Sequence, residues 1–379
     1  MTNKNGLYIH VPFCKSKCIY CDFVSFAGCE GSFDQYTDAL CQEIASYKQK
    51  CRDKIFDTVY MGGGTPSVLP TFLIRKIVDS AKNAFCFDKN AEWTIEVNPA
   101  TVDLQKACDL FEMGFNRVSI GMQSADDNTL KFLGRPHDKN QFEQTIQLFK
   151  QAGFENVNAD FILGLPGQTK NVVSDTAKYL ANLGIKHVSA YSLIVEKGTP
   201  LAKMLKQGKI TLPDDDFTVD LYDTFVSEVQ KLGFERYEVS NFAKPSFRSK
   251  HNENCWKYQE YLGVGLNSQS FMFGKRFANV KNLQNYINKV NQGKKPVSWS
   301  QKLSVDDQAF EFVMLGLRLC DGLDTKDFKN RFGVDFFEKY HHIIKRLQQQ
   351  NLVETSGDFF KVRPEKFYIL NSVITEFID

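Results

Sequence analysis

The feature of this sequence that most constrains its fold is a repeated junction, in which an amphipathic segment ends at glycine and a short apolar run follows. Such junctions occur at Gly114, Gly153, Gly184 and Gly233. Glycine adopts the left-handed conformation that ends many helices without a steric penalty from a Cβ atom. Each junction therefore predicts a helix that ends and leads into a strand, which is the repeat of a βα unit.

These units, taken in order, predict six strands that alternate with helices. We expect strands near residues 7–11, 56–61, 93–97, 116–120, 156–161 and 187–194, and helices near 33–49, 68–84, 102–113, 138–151 and 170–182. This alternation favours a parallel sheet. Six units and a longer irregular section after them predict an α/β fold, an open, partial (β/α)6 barrel. In such barrels the loops after the strands carry the functional site.

The sequence changes character from about Ser298. Apolar residues recur there at helical spacing, and residues 352–362 have the pattern of a β-hairpin before a last helix. We therefore expect a barrel at 1–240, a barrel extension at 241–297 and a C-terminal helical, winged-helix-like domain at 298–379. Winged helices often bind DNA, but this segment has no clear basic face, so we interpret it as a lid or packing domain.

Charge and hydropathy exclude several classes of partner. The chain has 379 residues, with 47 Lys and Arg against 45 Asp and Glu, and no block of like charges typical of a nucleic-acid arm or an anionic-membrane anchor. The first residues lack the apolar core of a signal peptide, and no apolar stretch is long enough to span a bilayer. We expect a cytoplasmic protein with no nucleic-acid partner and no membrane span.

Cys14, Cys18 and Cys21 share one short loop after the first predicted strand. Three thiolates are one fewer than a closed structural zinc site or a fully protein-ligated iron–sulfur cluster needs. The loop therefore predicts a metal centre with an open position. The alternative is a zinc site that His10 completes, because three cysteines and one histidine form a legitimate tetrahedral shell. Cys29 lies in a loop-like stretch and has no assigned role.

Polar residues follow the other predicted strands where each strand ends. The glycine run 62–64 ends the second strand, and Glu96, Gln123 and Asp160 end the third, fourth and fifth. We expect them to meet the cysteine loop at one mouth of the barrel, within reach of Arg135. The alternatives are an ordinary tight turn for the glycine run and a structural salt bridge for Arg135.

Together these motifs resemble radical S-adenosylmethionine (SAM) enzymes of the anaerobic coproporphyrinogen oxidase family. The cysteine triad and residues 62–66 (GGGTP), 117–124 (RVSIGMQS) and 160–167 (DFILGLPG) occur in the order of that family, and the match runs almost end to end.

The resemblance implies a [4Fe–4S] cluster on the three cysteines, with the fourth iron chelated by SAM, which an electron from the cluster cleaves to a 5′-deoxyadenosyl radical. It also implies SAM contacts from nine residues: Tyr8, Tyr20, Gly63, Gly64, Thr65, Glu96, Gln123, Arg135 and Asp160.

Two features separate the subgroups of this family. The oxidases resemble one another in a long N-terminal arm and in a fourth cysteine two residues beyond the third, whereas here 13 residues precede Cys14 and position 23 is Phe. Residues 251–256 (HNENCW) resemble the H-N-x-x-Y-W motif of HemW-type heme chaperones, which bind heme and are thought to pass it to apo-hemoproteins. We therefore expect a heme-binding radical SAM protein, a chaperone rather than a coproporphyrinogen oxidase. An oxygen-independent coproporphyrinogen III oxidase and a structural zinc protein are the alternatives.

His251 is the candidate heme ligand, because a neutral imidazole is a standard axial ligand and Trp256 and Tyr258 offer aromatic surface to a flat macrocycle. A loop histidine bonded to backbone is the alternative. Cys255 stands where the family has Tyr, so it is a second candidate, as a thiolate ligand or a thioether-forming group. The implied partners are heme, an apo-hemoprotein acceptor and an electron donor such as a flavodoxin or ferredoxin.

Overall fold

The computed structural model describes residues 4–378. In chain order its strands are β1 (Asn5–Val11), β2 (Phe13–Cys14), β3 (Phe26–Ala27), β4 (Ile55–Gly63), β5 (Cys86–Val97), β6 (Arg117–Gln123), β7 (Asn156–Leu163), β8 (His187–Ser192), β9 (Glu235–Arg236), β10 (Asn241–Ala243), β11 (Tyr261–Val264), β12 (Gln269–Met272), β13 (Lys275–Asn279), β14 (Val297–Lys302), β15 (Leu323–Asp324), β16 (Val353–Ser356) and β17 (Phe359–Val362).

The helices are α1 (Phe33–Ser46), α2 (Thr71–Ala84), α3 (Leu104–Glu112), α4 (Asp127–Phe132), α5 (Lys139–Gln151), α6 (Lys170–Asn182), α7 (Pro200–Lys206), α8 (Asp215–Lys231), α9 (Lys250–Trp256), α10 (Leu283–Asn291), α11 (Val305–Gly316), α12 (Thr325–Phe332), α13 (Phe336–Lys339), α14 (His341–Gln349) and α15 (Leu370–Thr375). None of the helices within residues 4–378 has the length and apolar character needed to cross a membrane.

One curved sheet organises the barrel. The six predicted strands are confirmed as β1, β4, β5, β6, β7 and β8, which lie side by side in that order and run parallel. Helices cover the sheet, so strands such as β1 and β6 are buried along nearly their whole length, as parallel strands usually are. The sheet ends at β9 on one side and at β14 on the other and does not close, which confirms the open, partial barrel.

The glycine junctions act as the sequence predicts. Gly114, Gly153, Gly184 and Gly233 all have positive φ, between 70° and 102°, and each follows the last turn of a helix. The amide of the residue after each glycine then bonds back to a carbonyl of that turn, for example Phe115 N–H to Leu110 O at 3.2 Å. This fixes the angle at which the chain enters the next strand.

The section after the sixth unit differs from the prediction. Residues 261–302 are not irregular but form β11 to β14 and α10, and β11 pairs in parallel with β1 and so extends the same sheet. These strands are short, with a tight turn at Phe273 and Gly274, both with positive φ, between β12 and β13, so their apolar periodicity is too brief to detect. Strand β14 also crosses the predicted change at Ser298, and helix begins only at Val305.

The C-terminal part has its own core. Helices α11 to α15 pack around a three-stranded sheet in the order β15, β17, β16, which includes the predicted hairpin. The buried aromatic rings of Phe312, Phe328, Phe336, Phe360 and Phe377 fill the space between them. This arrangement agrees with a winged-helix-like domain, while the predicted boundary between domains stays a prediction.

Candidate cofactor site

The carboxyl ends of the parallel strands surround a cavity of about 370 Å³ at the mouth of the barrel. All the residues predicted to hold the cluster and SAM line it except Tyr8: Cys14, Cys18, Cys21, Tyr20, Gly63, Gly64, Thr65, Glu96, Gln123, Arg135 and Asp160. Chain segments more than 140 residues apart in sequence thus meet at one place, as the barrel topology predicts.

The cysteine loop is held in position by backbone bonds. The amide of Ile19 donates to Leu133 O at 3.1 Å, and the amide of Leu201 donates to Ile19 O at 3.0 Å. The Cys14 thiol accepts from Thr65 Oγ1 at 3.7 Å. Two neighbouring segments therefore hold the loop in place, and its three cysteines line the cavity.

The zinc alternative is not supported. The ring of His10 is buried, its Nδ1 lies 3.0 Å from the hydroxyl of Tyr8, and its Nε2 lies 3.4 Å from Val24 O. Between residues 4 and 378 no three His, Cys, Asp or Glu side chains converge on a point that one metal ion would fill. An iron–sulfur cluster binds its thiolates on different irons, so its ligands need not meet at one metal position.

The glycine run after β4 lets main chain and side chains approach closely. Gly63 has a φ of 117°, and its amide donates to Glu96 Oε2 at 3.0 Å. A Cβ atom on Gly64 would lie 2.6 Å from Phe13 O, which is closer than atoms in contact can be. The run is therefore more than an ordinary turn, because any side chain at Gly64 would displace the strand that leads into the cysteine loop.

Two buried carboxyl groups share the cavity wall. Glu96 accepts from the Tyr60 hydroxyl at 2.8 Å, and Asp160 accepts from Asn158 Nδ2 at 2.7 Å. Burial and the charge of Asp160 together raise the pKa of Glu96 to about 7, and burial also raises the pKa of Asp160. A ligand that brings a cation or hydroxyl donors would favour both groups in their ionised form.

Arg135 and Gln123 face these carboxyl groups. Arg135 Nη2 donates to Gly121 O at 2.6 Å and Nη1 reaches Cys18 Sγ at 3.5 Å, while its buried Nε has no hydrogen-bond partner among residues 4–378. The structural salt bridge considered for Arg135 is absent among the described residues. Gln123 ends β6 with a φ of 68°, a conformation that non-glycine residues rarely adopt and that is common at functional sites.

Tyr8 does not line the cavity. Its ring stacks on Tyr60 with centroids 6.3 Å apart, and its hydroxyl contacts the ring of His10. Its contact with SAM stays a prediction.

Sequence reasoning missed Arg117, the largest fully buried side chain. It begins β6 beneath the two carboxyl groups, and its charge opposes the burial that raises the pKa of Glu96 and Asp160. Its Nε and Nη1 have no hydrogen-bond partner in the described part of the chain. The available signal was strand alternation, because Arg117, Ser119 and Gly121 share the inward face of β6.

The candidate heme residues lie at the other end of the barrel. They belong to α9, whose amino end is fixed by the buried Glu92 carboxylate, which accepts the amides of Lys250 and His251, each at 3.0 Å. Glu92 pairs in register with Thr58 near the amino ends of β4 and β5. Helix α9 therefore closes the amino-end floor of the barrel, and the structure does not bring it together with the cysteine loop.

His251 and Cys255 are one helical turn apart on α9, and the His251 ring packs into this floor. His251 Nδ1 lies 2.9 Å from Thr58 Oγ1, so it is bonded to a side chain rather than to loop backbone. Burial lowers the pKa of His251 to about 4 and raises the pKa of Cys255 to about 12. Both groups are therefore neutral here, with His251 buried and Cys255 partly exposed.

Comparison with known proteins identifies two family matches. The Radical SAM superfamily model matches residues 8–180, and the HemN C-terminal domain model matches residues 303–365. Among curated relatives, the heme chaperone HemW of Lactococcus lactis is 33% identical over 99% of this chain and 97% of its own length. HemW of Bacillus subtilis is 31% identical over 92% of each chain.

A solved structure shows the same fold. The coproporphyrinogen III oxidase HemN of Escherichia coli, described as a radical SAM enzyme, superposes with a TM-score of 0.86 at 23% identity. The match covers 99% of this chain and 90% of that one. At this identity it supports the architecture and does not assign an activity.

Proposed function

Because this chain belongs to the HemW family of radical SAM proteins, we propose that it is a heme chaperone that binds heme and delivers it to apo-hemoproteins. The observation that carries the proposal is the near full-length similarity to HemW proteins, which spans the barrel, α9 and the C-terminal domain. Phe23, where the related oxidases carry a fourth cysteine, supports the same subgroup.

The mouth cavity fits the cofactors of the superfamily, a [4Fe–4S] cluster and SAM. We assign the cluster to Cys14, Cys18 and Cys21, and SAM to the glycine run and the polar groups around it. When bound, this pair supplies one-electron reductive chemistry. The free Nε of Arg135 suits a carboxylate, and the carboxyl groups of Glu96 and Asp160 suit an ammonium group or ribose hydroxyls.

We further propose an electron donor such as a flavodoxin or ferredoxin, which the cluster would need for reduction. The cytoplasmic location and the lack of a nucleic-acid partner stay predictions. An oxygen-independent coproporphyrinogen III oxidase is the second candidate, because the solved oxidase shares the whole architecture.

Axial ligation of heme by His251 is a prediction that requires movement of the barrel floor, since Thr58 and Tyr60 now enclose the imidazole. We expect the anaerobically reconstituted protein to bind heme with a Soret band. That band should shift or weaken in His251→Ala, because a lost axial nitrogen changes the ligand field of the iron. The measurement is a heme titration followed by absorption spectroscopy, with the exposed His342→Ala as the matched control.

Two outcomes separate the claims in this experiment. A His251→Ala protein with unchanged spectrum and affinity would show that His251 is a structural residue of the floor. A wild-type protein that binds no heme would refute the chaperone proposal itself. Cys255→Tyr restores the residue of the family motif, and an unchanged spectrum there would exclude sulfur as a ligand.

A further inference from the structure

A network of buried hydrogen bonds crosses the barrel interior from the mouth cavity to the floor. At the mouth, Asp160 Oδ1 accepts from Asn158 Nδ2 at 2.7 Å. Asn158 Oδ1 lies 2.6 Å from His187 Nδ1, and His187 Nε2 lies 2.8 Å from the hydroxyl of Tyr237. That hydroxyl accepts from the amide of Ser249, the N-cap of α9, at 3.3 Å. This interior network therefore joins a carboxyl of the cofactor cavity to the start of the floor helix.

Strand register assembles the first part of the interior network. Ser119 of β6, Asn158 of β7 and His187 of β8 are direct partners across the sheet, and all three are buried. Asp160 follows Asn158 by two residues on β7, so their side chains lie on the same face of the strand. The parallel sheet thus stacks one layer of polar side chains directly beneath the layer that contains Asp160.

The two ends fix the direction of every bond in the interior network. A carboxylate only accepts, so the Asn158 amide nitrogen faces Asp160 and the Asn158 oxygen faces His187. His187 Nδ1 therefore donates, which leaves Nε2 as the acceptor for the Tyr237 hydroxyl. At the other end the Ser249 amide only donates, so the Tyr237 hydroxyl has to donate to His187. Both ends require the same direction independently.

The interior network requires a neutral His187. Burial lowers the pKa of the imidazole well below its usual range, and the positive charge of Arg117 lowers it further. A protonated ring would have two donors and no acceptor for the Tyr237 hydroxyl. The neutral ring is held in one tautomer because both of its nitrogen atoms are bonded.

The cavity end of the interior network holds Asp160 in one orientation. Its Oδ1 accepts from Ser119 Oγ at 3.3 Å as well as from Asn158, and Asn158 Nδ2 also donates to Ser119 Oγ at 2.7 Å. Asp160 and Ser119 line the mouth cavity. Asn158, His187 and Tyr237 are not among the described lining residues, so they act on a ligand there only through the side chains that they hold.

We propose that Asn158, His187 and Tyr237 are positioning residues that hold the Asp160 carboxyl for SAM and couple SAM binding to the start of α9. This role rests on the proposed function, which places SAM in the mouth cavity, and is independent of heme delivery. A hydroxyl or ammonium group on Asp160 adds a bond at one end of the interior network, and each bond in such a series polarises the next. Coupling is reciprocal, so a defect at the α9 end weakens SAM binding.

Tyr237→Phe tests the end of the interior network that is remote from the cavity. It removes one hydroxyl and leaves His187 Nε2 and the Ser249 amide without that partner. SAM binding to the anaerobically reconstituted protein should weaken roughly three- to tenfold, while the iron content stays unchanged. Tyr222→Phe is the matched control, because its hydroxyl donates to Val239 O in the same loop as Tyr237 but outside the interior network. It should bind SAM as the wild type does.

A double variant tests whether the residues act in series. His187→Leu removes both bonds of the imidazole and should weaken SAM binding at least as much as Tyr237→Phe. Adding Tyr237→Phe to His187→Leu should cause little further loss, because the hydroxyl then has no imidazole to act through. Thermal unfolding of each variant shows whether the fold is intact.

Hydrogen exchange at the start of α9 gives a readout that a loss of stability alone would not change. Saturating SAM should slow the exchange of amides 249–253 in the wild type roughly threefold or more. Amides of α10 in the same sample are the internal reference. Tyr237→Phe should abolish this effect of SAM, whereas Tyr222→Phe should keep it.

The outcomes are distinct. Unchanged SAM affinity in Tyr237→Phe, or equal weakening in Tyr222→Phe, would overturn the positioning role and leave the SAM site standing. Additive losses in the double variant, or exchange at 249–253 that SAM does not change, would overturn the coupling. Failure of the wild-type protein to bind SAM would refute the assignment of the mouth cavity itself.

Discussion

Replacing any one of Cys14, Cys18 or Cys21 with alanine is expected to abolish the iron–sulfur cluster. The wild-type protein, reconstituted anaerobically with iron and sulfide, should contain about four irons per chain, because three clustered thiolates hold a cubane cluster. With only two thiolates, a second iron of the cluster has no protein ligand, so the iron and the visible charge-transfer absorption should both be lost. Iron and sulfide analysis with an absorption spectrum measures this.

Cys29→Ala and Cys108→Ala are the matched controls and should keep the full iron content. Neither residue lines the mouth cavity, and the Cys29 thiol contacts Ala27 O at 3.7 Å instead. A protein that takes up one zinc ion and no iron, or a Cys18→Ala variant that retains the cluster, would contradict the assignment.

Arg135→Ala is expected to weaken SAM binding roughly 10- to 150-fold, because a hydrogen bond to a charged group is worth roughly 1.5 to 3 kcal/mol. The buried Nε of Arg135 has no partner within the described chain, so a SAM carboxylate is a fitting acceptor. Equilibrium binding of SAM to the reconstituted variant measures the effect.

Iron content must be measured in the same sample, since Arg135 also contacts Cys18 Sγ at 3.5 Å. We expect the cluster to persist. Arg52→Ala, at an exposed arginine paired with Asp53, should bind SAM as the wild type does. An intact cluster together with unchanged SAM affinity would show that Arg135 does not contact SAM.

The barrel could be predicted because its signals are local. Gly114, Gly153 and Gly184 mark helix ends by a conformation that glycine adopts at no steric cost, and the strands that follow are long enough to show their apolar pattern. Strand β11, which joins β12 to β14 to the sheet, lacks such signals, since its pairing with β1 depends on contacts between residues more than 250 positions apart. Propensity in a short window does not encode such contacts.

The mouth of the barrel could be predicted for a topological reason. Parallel strands bring their carboxyl ends to one edge, so Glu96, Gln123 and Asp160 must lie close together once the strands are identified. The depth of a side chain is not fixed in this way. The sequence predicts the strand of Tyr8 but not the helix α9 of His251, and packing brings the two side chains against His10 and Thr58.

The central claim is that this chain hands heme to other proteins, and the most direct measurement is the rate of heme transfer from the loaded protein to an apo-hemoprotein. We predict that the rate rises with the concentration of the acceptor, because a chaperone transfers heme within a complex of the two proteins. A transfer rate that is independent of the acceptor concentration would mean that heme first dissociates from this protein into solution. That result, together with conversion of coproporphyrinogen III to protoporphyrinogen IX when SAM and a reductant are supplied, would contradict the chaperone account and favour the oxidase.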